Sequence, residues 1–145
     1  MSEQVYVGAD HAGFELKQRL VAELKRLGYE PVDVGPRTLD PADDFPDYAK
    51  PVALAVSEGK APLGVLTCGT GLGMSYVANR YPHVRAAVVW SPEIAELSRK
   101  HNDANILVLP ARFLSDADSL NILRTWLKTP FEGGRHLRRV EKIDQ

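Results

Sequence analysis

Cys68 is the only cysteine in the chain, and it stands at the end of an apolar run, just ahead of the glycine-dense loop Gly69-Thr-Gly-Leu-Gly73. Glycines at that density let backbone N–H groups converge on one point, and the loop opens onto a helix N-terminus. Such surroundings draw a thiol pKa from ~8.5 down to between about 3.5 and 7.5, which makes a base or nucleophile available at neutral pH. The same amides suit a developing oxyanion. Two plainer readings stand beside these: a small hydrophobe buried at a strand end, and a turn that merely joins strand to helix. The loop is not a Walker motif, because no Gly-Lys-Ser/Thr follows. It is also a poor dinucleotide fingerprint, since its third glycine comes one position early and the next strand ends in Trp90-Ser91 without an acid.

Other groups with chemical potential lie apart from the apolar runs. Asp10-His11 follows the first strand, His101-Asn102-Asp103 closes the helix after the fourth, and Arg112 follows the fifth. Arg135 and Arg139, four apart, share a helix face with Arg138 and His136 beside them. That face reads either as a solvated charged surface or as two guanidinium forks matched to a phosphate dianion. Gly133-Gly134 would allow close backbone approach, and His11 with Arg112 would complete the clamp. His101 reads equally as a helix-end cap and as a proton carrier, its ordinary pKa near 6.5 suiting the second role.

The elements that must position these groups alternate along the chain. Strands are predicted at 5–8, 32–34, 63–68, 86–90 and 106–109. Leu16, Leu20, Val21, Leu24 and Leu27 form a helical stripe over 14–27, stopped at Gly28. Residues 36–47 read as a Pro/Asp-rich loop, with Asp47 expected to cap a helix that buries Ala49, Val52, Ala53 and Val56. A short helix follows the glycine loop through Arg80, and Ser91-Pro92-Glu93 is a strong helix start. Leu120, Leu123, Trp126 and Leu127 mark a further helix, and a basic one is expected from about Gly134 to Ile143. Strands apolar throughout, with amphipathic helices between them, predict an α/β fold. The expected architecture is a single-domain, three-layer sandwich spanning 1–145, with a five-stranded parallel, Rossmann-like sheet and a C-terminal helix. Ligands of such sheets sit beyond the strands' carboxyl ends, so the segments after strands one, three, four and five are expected around one cleft.

Composition narrows the choice of partner. The 145 residues are 44% hydrophobic and 26% charged, ordinary for a globular chain. Eighteen basic against nineteen acidic residues give a formal charge of −1, which removes the electrostatic case for nucleic acid or an anionic membrane. No apolar run approaches the ~18–20 residues of a membrane span. No basic stretch leads into an apolar segment at the start, so a signal peptide is not expected and the cytoplasm is. One cysteine excludes an internal disulfide and a cysteine-based zinc site.

Four separated motifs resemble the ribose/galactose isomerase family, and type B ribose-5-phosphate isomerases in particular. They are Gly8-Ala-Asp-His-Ala-Gly13, Cys68-Gly-Thr-Gly-Leu-Gly73 with Ala78-Asn79, His101-Asn-Asp-Ala-Asn105, and Glu132-Gly-Gly-Arg-His136 with Arg139-Val140. The likeness runs through essentially the whole chain. It implies an aldose–ketose isomerase interconverting ribose 5-phosphate and ribulose 5-phosphate through an enediolate, with Cys68 as the base between C1 and C2. It further implies that His101 assists ring opening and that Thr70 lies near the enediolate oxygens. Asp10, His11, Gly69, Thr70, Gly71, Leu72, Gly73 and Asn102 would contact the sugar, and His11, Arg112, Arg135 and Arg139 the phosphate. Family members work without metal or cofactor, as dimers or dimers of dimers whose sites are shared between subunits.

The alternatives are a relative acting on allose 6-phosphate, galactose 6-phosphate or a tetrose phosphate, and a sugar-phosphate sensor without catalysis. Cys68 and His101 weigh against the sensor, which needs an anion clamp but no proton carriers. Three positions depart from the family pattern. Phe45 precedes Pro46 where tyrosine is common, Pro110-Ala-Arg112 replaces Gly-x-Arg, and Arg80 stands in place of lysine.

Overall fold

Neighbouring residues of a buried strand point to opposite faces, so a sheet built of such strands needs a helical layer on each side. The computed structural model describes residues 2–145 and has that form. In chain order the elements are β1 (Gln4–Ala9), α1 (Phe14–Arg26), β2 (Glu30–Asp33), α2 (Pro46–Ser57), β3 (Leu63–Cys68) and α3 (Leu72–Ala78). They continue with β4 (Ala86–Val88), α4 (Pro92–Asn102), β5 (Ile106–Pro110), α5 (Asp116–Lys128) and α6 (Arg135–Glu141). One turn of 3-10 helix, His11–Gly13, joins β1 to α1. The five strands are parallel, in the order β2-β1-β3-β5-β4.

Alternation divides the core in two. Val5, Val7, Val65, Leu107 and Leu109 face Leu16, Leu20 and Leu24 of α1, Ala95 of α4, and Ile122, Leu123 and Trp126 of α5. Leu66, Cys68, Ile106 and Val108 face the other way, onto Ala49, Val52, Ala53 and Val56 of α2 and Met74 and Ala78 of α3. Cys68 thus belongs to the α2/α3 side of the sheet. Among the described residues no helix is long and apolar enough to cross a membrane.

Several expected boundaries shift for local reasons. Asp47 is not the cap of α2: Pro46 takes the first helical position, where its missing N–H costs nothing, and Asp47 falls inside the first turn. The fourth strand ends at Val88 rather than at residue 90, because β4 is a short edge strand paired to β5 alone. The last helix spans Arg135–Glu141, shorter at both ends than expected, with Gly134 outside it at φ 55°. Ser91 caps α4 as its sequence predicts, its hydroxyl accepting the Ile94 N–H at 3.2 Å.

Polar ties fix the helices to the sheet and to each other. The Lys17 ammonium, almost fully buried, donates to both oxygens of Asp33 at the end of β2, at 2.9 and 2.8 Å. Asn79, just past α3, both donates to and accepts from the backbone of Ala86 at the start of β4, at 3.0 and 2.8 Å. Glu23 of α1 accepts from Arg26 at 2.7 and 2.6 Å and from Arg124 of α5 at 2.7 Å. Hydrogen bonds from those two guanidiniums hold its carboxyl down at about 2.

The Glu23 cluster gives a prediction about acid stability. A carboxyl depressed in the folded state adds stability that is complete above its unfolded pKa, near 4.3, and is lost as pH falls toward 2. Glu23→Gln should therefore have a lower Tm than the parent at pH 7, and the gap should close between about pH 4.5 and pH 2. A gap of constant size across that range, measured by thermal melts, would remove Glu23 as an α1–α5 tie.

Candidate active site

The order of the strands decides which segments meet. Because β1, β3 and β5 are adjacent, the segments after them converge at the carboxyl edge of the sheet. There a cavity of about 210 Å³ is lined by Asp10, His11, Ala12, Phe45, Cys68, Gly69, Thr70, Gly73 and Arg112. The segment after β4 does not take part, contrary to expectation, because β5 lies between β3 and β4 and leaves β4 at the sheet's edge.

Each wall of the cavity has a local cause. Asp10 uses one oxygen to cap the 3-10 turn, accepting the Ala12 and Gly13 N–H groups at 2.9 and 3.2 Å, which turns His11 into the cavity mouth. Arg112 follows from a main-chain clasp between two strand ends: Ala111 donates to the Cys68 carbonyl at 2.9 Å and Arg112 to that of Gly69 at 3.0 Å. Proline in this Pro110-Ala-Arg112 turn is accommodated, and the guanidinium lies against Gly69. Phe45 enters from the loop after β2, and its ring packs on Gly73 so closely that a β-carbon there would stand 2.7 Å from it. Gly71, at φ 78°, supplies a backbone shape that L residues rarely adopt.

The thiol lies within this frame. Cys68 is only 5% exposed, yet it forms part of the cavity wall, and its Sγ accepts the Gly71 N–H at 3.2 Å. Burial pushes the thiol up from its ordinary pKa, against the pull of hydrogen bonds from the Met74, Gly71 and Thr70 amides, and Asp10 adds to the upward push. This corrects the expectation of a depressed thiol. The amides are present as expected, but desolvation of the thiolate outweighs them. The Thr70 hydroxyl accepts the Leu72 N–H at 3.2 Å. Gly71 and Leu72 do not line the cavity; Gly71 contributes its amide, and Leu72 is exposed.

His101, Asn102, Arg135 and Arg139 are elsewhere. A helix that returns antiparallel to its strand ends at the opposite edge of the sheet, and α4 does so. Its end is pinned by Asp103, which pairs with Arg99 at 3.0 Å and with Arg85, just before β4, at 3.3 Å. The length of β5 separates that edge from Cys68, roughly 16 Å for five strand residues. The Glu132 N–H donates to the Lys100 carbonyl at 3.2 Å, which docks the approach to α6 beside α4. There the His101 and His136 rings stack with centroids 4.4 Å apart and planes 13° from parallel. Burial, with help from His101 and Arg135, holds the His136 imidazole below its ordinary pKa.

Among the described residues two trios have metal-ligating atoms within reach of one another, His101/Glu132/His136 and Asp10/His11/Asp43. In the first the two histidine rings are stacked face to face, and in the second His11 Nδ1 stands 2.8 Å from Asp43 Oδ1. His136 and Asp43 were not singled out as site residues from sequence. The first sits among arginines in a helix pattern, and the second is one aspartate of several in a loop, so neither left a periodic signal.

The family model described as Ribose/Galactose Isomerase matches residues 5–143. The ribose-5-phosphate isomerase B of Escherichia coli strain K12 is 43% identical over 141 residues, covering 97% of this chain and 94% of that one. A crystal structure of a ribose 5-phosphate isomerase from Thermotoga maritima superposes with a TM-score of 0.94 at 46% identity, covering 99% of both chains. The ribose-5-phosphate isomerase B of Mycoplasma genitalium, solved with bound ribulose-5-phosphate, gives a TM-score of 0.95 at 42% identity, over 99% of this chain and 95% of that one.

The balance at Cys68 is open to direct measurement, because no second cysteine competes. Alkylation of the substrate-free protein by iodoacetamide should still accelerate as pH rises through 9, where an ordinary thiol of pKa about 8.5 is levelling off. A rate that levels below pH 8 would mean that the loop amides outweigh burial.

Proposed function

The chain belongs to the ribose/galactose isomerase family, and on that premise we propose that it interconverts ribose 5-phosphate and ribulose 5-phosphate. The observation that carries the reading is Cys68 Sγ at a cavity wall, among loop amides, with His11 and Arg112 on the same cavity. We take residues 1–145 as one sugar-phosphate isomerase domain.

The reaction moves one proton from C2 to C1. With the sugar opened to its aldehyde, the Cys68 thiolate removes the C2 proton, and the electron pair forms the C1=C2 bond while charge moves onto O1. We assign stabilisation of this enediolate to the glycine loop and Thr70. A proton passes from O2 to O1, the Cys68 thiol returns its proton to C1, and C2 becomes the ketone. His11 and Arg112 hold the phosphate, and that remote grip keeps the reacting carbons against the sulfur. Asp10 has a second carboxylate oxygen left for a sugar hydroxyl.

Within one copy His101, Asn102, Arg135 and Arg139 lie away from that cavity. We assign ring opening to His101, sugar contact to Asn102, and further phosphate contacts to Arg135 and Arg139, all from a second copy whose opposite sheet edge faces the cavity. The exposed side chains of Leu72 and Phe113, next in sequence to Gly73 and Arg112, support an interface there. The working unit is then a homodimer or a dimer of dimers. A dianionic substrate that does not cross bilayers supports a cytoplasmic site of action.

Cys68→Ala should lose about 10²–10⁴-fold in kcat in a coupled assay with ribose 5-phosphate while still binding ribulose 5-phosphate by calorimetry. Unchanged turnover would remove the thiol from the mechanism. Cys68→Ala and His101→Ala, each inactive alone, should recover about a quarter of the parent activity when unfolded together and refolded as a mixture, because mixed dimers carry one intact site. No recovery would mean that both residues act within the same copy.

A further inference from the structure

Asp43 lies in the loop after β2 and has no part in the chemistry assigned above. Its side chain is only 4% exposed, and Oδ1 accepts the His11 backbone N–H at 3.1 Å while standing 2.8 Å from His11 Nδ1. Its second oxygen is buried without a hydrogen-bond partner. A buried carboxylate needs hydrogen bonds to compensate its lost hydration, and here both groups that meet it, an amide and a ring nitrogen, belong to a single residue. His11 differs: its ring is 31% exposed and lines the cavity that holds Cys68 and Arg112.

We propose that Asp43 is a positioning residue that fixes the His11 ring with its proton on Nδ1, leaving Nε2 for the cavity. A free imidazole exchanges between tautomers and ring flips, and a two-point hold on one residue's amide and ring removes both freedoms. The ring is then held in the one orientation that turns Nε2 toward the phosphate, so Asp43 strengthens the phosphate grip without touching substrate. The charged groups facing the pair are few. Asp10 offers an oxygen within 4.8 Å of the trio's other ligand atoms, and Arg112 stands on the same cavity. Tyr48 is held above its ordinary pKa first by burial and then by Asp43, Asp47 and Asp40, so it is neutral at working pH.

The inference rests on the isomerase reading, and the test separates the two. Ring-nitrogen NMR of the substrate-free protein should show His11 as the Nδ1–H tautomer; Nε2–H would overturn the proposal without any variant or assay. Asp43→Asn should allow the other tautomer and raise KM for ribose 5-phosphate about tenfold, with kcat within about twofold of the parent. Since the effect runs through His11, Asp43→Asn in a His11→Ala background should add nothing further to KM. An additional rise there, or a fall in kcat at constant KM, would make Asp43 a general structural support and overturn the proposal. If the parent protein fails to turn over ribose 5-phosphate, the isomerase reading falls, while the tautomer still decides the role of Asp43.

Discussion

A parallel strand and the helix that returns from it deliver their ends to opposite edges of the sheet, and the chemistry of this protein is arranged around that constraint. The thiol, the glycine loop, Asp10, His11 and Arg112 follow strands and share the carboxyl edge. The stacked histidines close one helix and open another, so they sit at the far edge with Arg135 and Arg139 on the same C-terminal helix. Within one copy, the two groups of residues therefore lie at opposite edges of the sheet. The strand order strengthens the division, since placing β5 between β3 and β4 brings Arg112 beside the thiol and carries the β4 segment away.

At the thiol, two ordinary effects oppose each other. Loop amides favour the anion, and burial against the α2/α3 layer favours the neutral form; burial prevails. A base that is weak at rest is stronger per molecule once ionised, because proton affinity and basicity rise together. The same sulfur is thus pulled both ways, with Asp10 adding its charge on the side of burial.

Most of the architecture was legible in the sequence because the signals were local: uninterrupted apolar strands, a helical stripe ending at Gly28, a hydroxyl–proline–acid helix start at Ser91. The cavity's members were legible as well, since topology sends strand ends to one place. Three things were not. Strand order is a pairing choice that leaves no mark on any single segment, so the β4 segment was wrongly expected in the cleft. The pKa of Cys68 depends on how tightly two layers close over it, a tertiary quantity. The contacts of Asp43 and of the His101–His136 stack join residues 32 and 35 positions apart through side chains alone. Some motif residues also proved architectural: Asn79 pins α3 to β4, and Asn105 accepts the Arg85 N–H at 2.7 Å.

The contact between Phe45 and Gly73 bears on how such an enzyme drifts toward other sugars. One partner is a ring edge and the other is bare backbone, so the two positions are not interchangeable routes to a new pocket size. Trimming the ring opens room for a bulkier ligand without moving the chain, whereas any gain of side chain at the glycine collides with the ring and forces it to shift. Adaptation at this wall is thus asymmetric: a lineage enlarges its repertoire by erosion at one residue, and the opposite residue is held fixed for as long as the aromatic stays.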